Sequence, residues 1–239
     1  LTADICRERG VLLHTDAVQA VGKIPLDMKT LPVDFLALSG HKLHAPKGVG
    51  ALYVRRGAPF RPFLIGGHQE RGRRAGTENT ASIVALGKAM ELAAQGIGDE
   101  NTRVRALRDR LENGLLSAIP EARVNGARDE RLPNTSNISF KYVEGEAILL
   151  MLDQFGICAS SGSACTSGSL EPSHVLRAMG VPFTFAHGSI RFSLSRFTTE
   201  ADVDTVLREL PPIIERLRVL SPFKAEGLEP LDAKPPCTC

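Results

Sequence analysis

The chain has 239 residues, 43% hydrophobic and 23% charged, an ordinary globular composition with length for one large or two medium domains. A formal net charge of +2 gives no general argument for nucleic acid or an anionic membrane as partner. No hydrophobic run reaches the roughly 18 residues that span a bilayer, and the sequence reads as a soluble protein without a membrane or nucleic-acid partner.

The opening Leu1-Thr2-Ala3-Asp4 has no Met and no charged-then-apolar leader. Thr2 or Asp4 is expected to cap a short helix closed by Gly10, after which Val11 to Asp16 enters as a buried strand. A parallel strand needs neighbours on both sides, so an upstream segment of several strands and helices is expected to be missing. Two further short apolar strands are expected at Asp34 to Ser39 and Val49 to Val54. Short strands ending in polar residues suit an α/β sheet, whose ligands gather beyond the strand carboxyl ends, and Asp16, Ser39, His41 and Lys42 all sit at such ends.

Residues 57 to 78 form a long Gly/Arg-rich connection, expected to be functional or disordered rather than a simple link. Asn79 opens a helical pattern through Ile83, Leu86, Met90 and Ala94, expected to break at Gly96-Ile97-Gly98. A second amphipathic helix runs from about Asp99 to Ala118, with Val104, Leu107, Leu111 and Leu115 on one stripe. The domain boundary is placed in this helix pair, giving 1–98 and 99–222, with 223–239 as a flexible tail.

The second part reads as an α+β unit. Strands are expected near Val124, at Ser136 to Tyr142, at Ile157 to Ser160 and at Ser189 to Leu194. A helix from Glu144 or Gly145 to Phe155 ends at Gly156, a short one spans Ser173 to Met179, and a last one runs from Glu200 to about Leu220. Thr199 with Asp202 marks its start, and Pro211-Pro212 is expected to interrupt it.

Five cysteines, Cys6, Cys158, Cys165, Cys237 and Cys239, form an odd set without zinc-type spacing, which argues against a disulfide framework. The Pro-rich ending with Cys237 and Cys239 does not complete a tetrahedral metal site and is expected to be disordered. Cys165 lies in a loop of small polar residues, Ser160 to Gly168, a setting that lets one thiol reach more than one place. By itself, such a cysteine is more often an incidental loop thiol than a catalyst.

Lysine directly after an apolar strand, in Ser39-Gly40-His41-Lys42, is placed where a pocket forms, and partial desolvation would favour the neutral amine that Schiff-base chemistry requires. A carboxylate at a neighbouring strand end, Asp16, is able to hold a positive charge on a heterocycle; the pair matches what pyridoxal phosphate demands. Both residues also have bland readings, as a turn cap and a solvated lysine. Ser39, His41 and Thr77 supply hydroxyl and imidazole donors for a phosphate, whereas His14, His44 and His68 read as structural or pocket-lining rather than as metal ligands.

The segments His14-Thr15-Asp16-Ala17-Val18-Gln19, Ser39-Gly40-His41-Lys42, Arg74-Ala75-Gly76-Thr77-Glu78-Asn79, Ser160 to Gly168 and Ser189-Ile190-Arg191-Phe192-Ser193 resemble, in order, the motifs of the cysteine desulfurases of the NifS/IscS group. These are fold type I pyridoxal-phosphate enzymes of the class V aminotransferase family, and the resemblance runs from the first residues to about Leu220. It implies an α/β fold in which the remainder of a large mixed-sheet cofactor domain precedes a smaller C-terminal α+β domain. It implies that Lys42 forms the internal aldimine with the cofactor, Asp16 pairs with the pyridine nitrogen and Gln19 bonds the ring phenolate oxygen. Ser39, Gly40 and His41 bind the phosphate, and Thr77 reaches the phosphate of the partner subunit in a homodimer. Arg191 clamps the substrate carboxylate. Cys165 attacks the sulfur of L-cysteine, leaving L-alanine and an enzyme persulfide that is passed to an iron-sulfur scaffold protein, with Cys165 itself a transient iron-sulfur ligand.

The family's N-terminal portion, which supplies a stacking histidine, a phosphate-binding threonine and an asparagine near the phenolate oxygen, has no counterpart here. The resemblance therefore covers the C-terminal part of such a protein. The long cysteine loop is similar to the NifS/IscS type rather than the SufS and selenocysteine-lyase type, and Ser39 to Gly48 resembles the nitrogen-fixation branch. The family implies a cytoplasmic location. The competing readings are a selenocysteine lyase or class V aminotransferase, and a non-catalytic fragment that keeps a dimer or scaffold-binding surface.

Overall fold

The computed structural model describes residues 2–161 and 172–221. Its chain divides into two compact units between Arg103 and Val104. No helix among the described residues is long and apolar enough to cross a membrane.

The first unit begins with α1 (Thr2–Glu8), followed by β1 (His14–Asp16), β2 (Phe35–Ser39) and β3 (Gly50–Val54). Their order in the sheet is β1-β2-β3, with β1 parallel to β2 and β3 antiparallel to it. The parallel pair places Asp16 opposite Ala37, and Ala17 N–H extends the pairing by donating to the Ala37 carbonyl at 2.9 Å. Beyond Ser39 the chain makes a 3-10 turn, Gly40–Leu43, and returns as β3 with Gly50 facing Ser39. A Cβ at Gly50 would lie 2.6 Å from the Leu38 carbonyl oxygen, so this close return needs glycine.

A single turn, α2 (Gln69–Gly72), interrupts the long Gly/Arg-rich connection, with Glu70 and Arg71 at positive φ of 51° and 59°. Asn79 caps α3 (Thr80–Asp99) by accepting from Ser82 N–H at 3.3 Å. Leu86 and Ala89 of that helix pack on Leu43 and Ala45, which fastens the 3-10 turn to the helix.

Gly96 and Gly98 do not end α3, contrary to the expectation from sequence. The helix continues through a π-helical turn, Glu100–Val104, into α4 (Arg105–Ala118). Each interior glycine costs about 1 kcal/mol relative to alanine, and tertiary bonds offset that cost here. Glu100 forms a buried ion pair with Lys23, and Asn101 Nδ2 donates to the carbonyls of Lys23 at 2.8 Å and Ile97 at 2.9 Å.

In the second unit β4 (Ala122–Val124), β5 (Thr135–Phe140) and β6 (Ser189–Ser193) form an antiparallel sheet in that order. Between β5 and β6 come α5 (Gly145–Asp153), α6 (His174–Ala178) and α7 (Phe183–Ala186), and α8 (Glu200–Leu220) closes the described chain. Strand alternation divides the sheet into two faces. Ile138, Phe140, Ile190 and Phe192 point into a core shared with Leu111 and Leu115 of α4, Ile148 and Leu152 of α5, and Leu210 and Ile214 of α8.

Two further sequence expectations are corrected. Residues 157–160 form no strand but only a bridge from Ser160 to Arg191, because one residue pair is all that meets the edge of β6. Pro211 and Pro212 do not interrupt α8, since the complete burial of Leu210 and near-complete burial of Ile213 and Ile214 hold both sides of the step to the core. Thr199 and Asp202 form a reciprocal capping box at its start, as their spacing predicts.

Candidate active site

The site of the first unit is built at the carboxyl edge of the parallel strand pair. β1 ends in Asp16, whose Oδ1 accepts from Val18 N–H at 2.9 Å, so the carboxylate is tied to the turn that follows. Buried Ala17 anchors that turn, and Gln19 stands exposed upon it. β2 ends in Ser39, and its Oγ is 2.8 Å from His41 Nδ1, which joins the hydroxyl to the imidazole.

The next turn is rigid for reasons visible in its backbone. Gly40 N–H donates to the Val49 carbonyl at 2.8 Å, and Ala45 N–H closes the turn on the Gly40 carbonyl at 3.0 Å. A Cβ at Gly40 would stand 2.8 Å from Val49 Cγ1, so only glycine permits this approach. Leu43 is buried, whereas Lys42 and His41 are exposed on the opposite side of the turn. Lys42 is thus presented, exposed, by a fixed backbone. Thr77 is exposed in the segment leading to α3, where Gly76 N–H donates to Gln69 Oε1 at 3.1 Å.

In the second unit Arg191 lies at the middle of β6. Its backbone N–H donates to the Ser160 carbonyl at 2.7 Å, and its carbonyl accepts from Ser160 N–H at 3.2 Å. On the other side Arg191 faces Asn137 of β5, and Asn125 N–H donates to the Asn137 carbonyl at 2.9 Å. Asn125, Asn137, Arg191 and Ser160 therefore make one cross-strand row on the polar face of the sheet. Asn125 Nδ2 donates to Asn137 Oδ1 and to Ser139 Oγ, each at 2.6 Å, and Ser139 Oγ shares a hydrogen bond with Ser189 Oγ at 2.5 Å. Arg191 Nε is buried and has no hydrogen-bond partner among the described residues. Cys165 lies outside the described residues; Ser160, which precedes it in the chain, is bonded to Arg191.

The structure thus brings Asp16, Ser39, Gly40, His41 and Lys42 to one sheet edge and sets Gln19 on the turn beside it. Sequence reasoning missed the polar row around Arg191. Its signal is the alternation in Thr135-Ser136-Asn137-Ile138-Ser139-Phe140 and Ser189-Ile190-Arg191-Phe192-Ser193, in which every second residue is polar. Among the described residues no group of three His, Cys, Asp or Glu side chains is placed to hold a metal ion.

A mixed three-stranded sheet, carrying a lysine turn at the carboxyl edge of its parallel pair, and an antiparallel α+β unit that follows it make an α/β chain of the kind found in pyridoxal-phosphate-dependent transferases. The chain belongs to the aminotransferase class-V family, whose model matches residues 2–206. It is 66% identical over 228 residues to "Cysteine desulfurase 2" of Trichormus variabilis, a match covering 95% of this chain and 57% of that protein. It is 64% identical over 221 residues to "Cysteine desulfurase NifS" of Azotobacter vinelandii, covering 92% of this chain and 55% of the relative. Among solved structures, a "NIFS-LIKE PROTEIN" superposes with a TM-score of 0.80 at 38% identity, over 90% of this chain and 57% of the other. The chain thus spans a little over half the length of these relatives.

The family depends on pyridoxal phosphate, and the residues of the sheet edge fit that group by their donor chemistry. Asp16 offers a carboxylate held by a backbone N–H, suited to a pyridinium nitrogen. Ser39 and His41 form a joined hydroxyl and imidazole pair suited to phosphate oxygens, and Lys42 offers an exposed amine on the same turn.

Proposed function

We propose that this chain is the part of a cysteine desulfurase that carries the cofactor lysine, the carboxylate-binding arginine and the sulfur-accepting cysteine. The observation that carries this reading is the paired bond between Ser160 and Arg191. Ser160 precedes Cys165 closely in the chain and is bonded to the backbone of the residue read as the substrate clamp, and a thiol so near in sequence to that clamp's partner serves a sulfur transfer but has no task in a transamination.

The roles follow from the residues. Lys42 holds the cofactor and moves protons at the substrate α-carbon, and Asp16 orients it through the ring nitrogen. Gln19 bonds the ring oxygen, and Ser39, Gly40 and His41 hold the phosphate. When bound, pyridoxal phosphate supplies an electron sink that weakens bonds at the α- and β-carbons of an amino acid. Arg191 grips the carboxylate of L-cysteine through its planar fork of donors. The Cys165 thiolate attacks the substrate sulfur; the carbon–sulfur bond breaks as the sulfur–sulfur bond forms, and a proton replaces sulfur on the departing L-alanine. No external oxidant enters the step. The persulfide on Cys165 then passes to an iron-sulfur scaffold protein, with the nitrogen-fixation branch favoured by the likeness to NifS.

The architecture we propose places residues 1–98 in the large cofactor domain and 99–222 in the small domain, of a homodimer in which Thr77 reaches the partner's phosphate. A cytoplasmic location is consistent with a chain whose described helices include none able to cross a membrane. The full-length protein is expected to convert L-cysteine to L-alanine with one sulfur atom released for each alanine. Lys42→Ala is expected to lose the visible absorption of lysine-bound cofactor and at least about 1,000-fold in alanine formation. Transfer of the amino group of L-cysteine to a keto acid, without alanine, would overturn the assignment in favour of an aminotransferase.

A further inference from the structure

Arg191 is held in an unusual way for a long, flexible cation. Where Arg131 is clamped by Glu112 through two bonds at 2.6 and 2.8 Å, Arg191 forms no ion pair with any described residue. Among the described residues, its neighbours on the sheet are the ones left to orient its side chain, and the closest of these is set by strand geometry. Because both backbone groups of Arg191 are committed to Ser160, Arg191 and Asn137 form a non-hydrogen-bonded antiparallel pair, the class in which facing side chains come nearest.

We propose that Asn137, immobilised by Asn125, is a positioning residue that sets the Arg191 guanidinium for the substrate carboxylate. The inference rests on the reading of Arg191 as the carboxylate clamp. Asn137 Oδ1 is fixed by Asn125 Nδ2 at 2.6 Å, and Asn125 is fixed in turn by Ser139. The row is therefore stiff on the side away from Arg191. An amide suits this position better than a carboxylate, which would neutralise the guanidinium and compete with the substrate. A smaller residue would leave the arginine free to sample other rotamers, of which it has many.

The test uses the full-length protein with its cofactor and two ligands that differ in the carboxylate, L-alanine and ethylamine, their binding read from the visible absorption of the bound cofactor. Arg191→Ala is expected to remove most of the preference for the carboxylate-bearing ligand. Asn137→Ala is expected to weaken L-alanine binding and raise KM for L-cysteine by about tenfold while kcat changes by less than about twofold and ethylamine binding is unchanged. Asn137→Asp, which conserves shape, is expected to weaken L-alanine binding further, because its carboxylate captures Arg191. Should Asn137→Ala fail to fold, this isosteric variant decides alone. The proposal is overturned if the Asn137 variants weaken both ligands equally, as a structural lesion would, or leave the ratio of their affinities at the wild-type value. If Arg191→Ala also leaves that ratio unchanged, it is the clamp reading that fails, and the proposal falls with it.

Discussion

At Glu112 two opposing effects on one carboxylate set a measurable pH dependence. Burial alone pushes its pKa up, but the bonds from Arg131 and from Ser136 Oγ, with the nearby charges of Arg131 and Arg108, outweigh this and hold it below the usual glutamate value. A carboxylate with a lowered folded pKa contributes stability that is present above its unfolded pKa and is lost as pH falls through the folded one. Glu112→Gln is expected to cost about 3 kcal/mol near neutral pH, since it leaves Arg131 and Arg108 without that charge, and most of the difference from wild type should vanish in acid. Urea midpoints measured across the acid range check this; a difference that stays constant with pH would contradict it. Buried Glu112 was not legible in the sequence, where it sits among the alternating charges of an amphipathic helix and reads as solvated. Lys42 and Asp16 were legible, because a polar residue after a short apolar strand marks a sheet edge whatever packs around it. Their environment was not, because solvation depends on contacts distant in sequence.

Among the elements, helices were recognised by period and capping, and misjudged where single residues were given too much weight. Gly96 and Gly98 lower helix propensity, and Pro211 and Pro212 remove backbone donors, but the Lys23–Glu100 pair and the burial of Leu210, Ile213 and Ile214 carry the helices across. Such long-range contacts leave no local mark in a sequence. The intact α8 makes Pro212, which is exposed, a site of stored cost. Pro212→Ala is expected to stabilise the protein by about 1–3 kcal/mol, read as a higher denaturant midpoint at unchanged slope. A loss of stability would show that the prolines are required by the packing of α8 rather than tolerated by it. The polar row on β4, β5 and β6 was missed for the opposite reason: each strand alternates plainly, but which residues become neighbours depends on register, and register is fixed only when the strands pair.

At the scale of the whole molecule, the motif order implied a class V fold, and both the family match over residues 2–206 and the likeness to a NifS-like structure bear this out. Fold alone does not separate a desulfurase from an aminotransferase, because one architecture hosts both. The separation rests on Cys165, which follows closely in the chain on Ser160, the residue bonded to Arg191. The direct measurement is therefore the sulfur content of Cys165 in the full-length protein after L-cysteine is added, read by alkylation and mass analysis of the peptide that contains it. The account predicts a persulfide at Cys165 with L-alanine in equal amount, and predicts that Cys165→Ser keeps the visible cofactor absorption and binds L-cysteine but yields neither persulfide nor sulfide. Sulfide release by Cys165→Ser at the wild-type rate would contradict it.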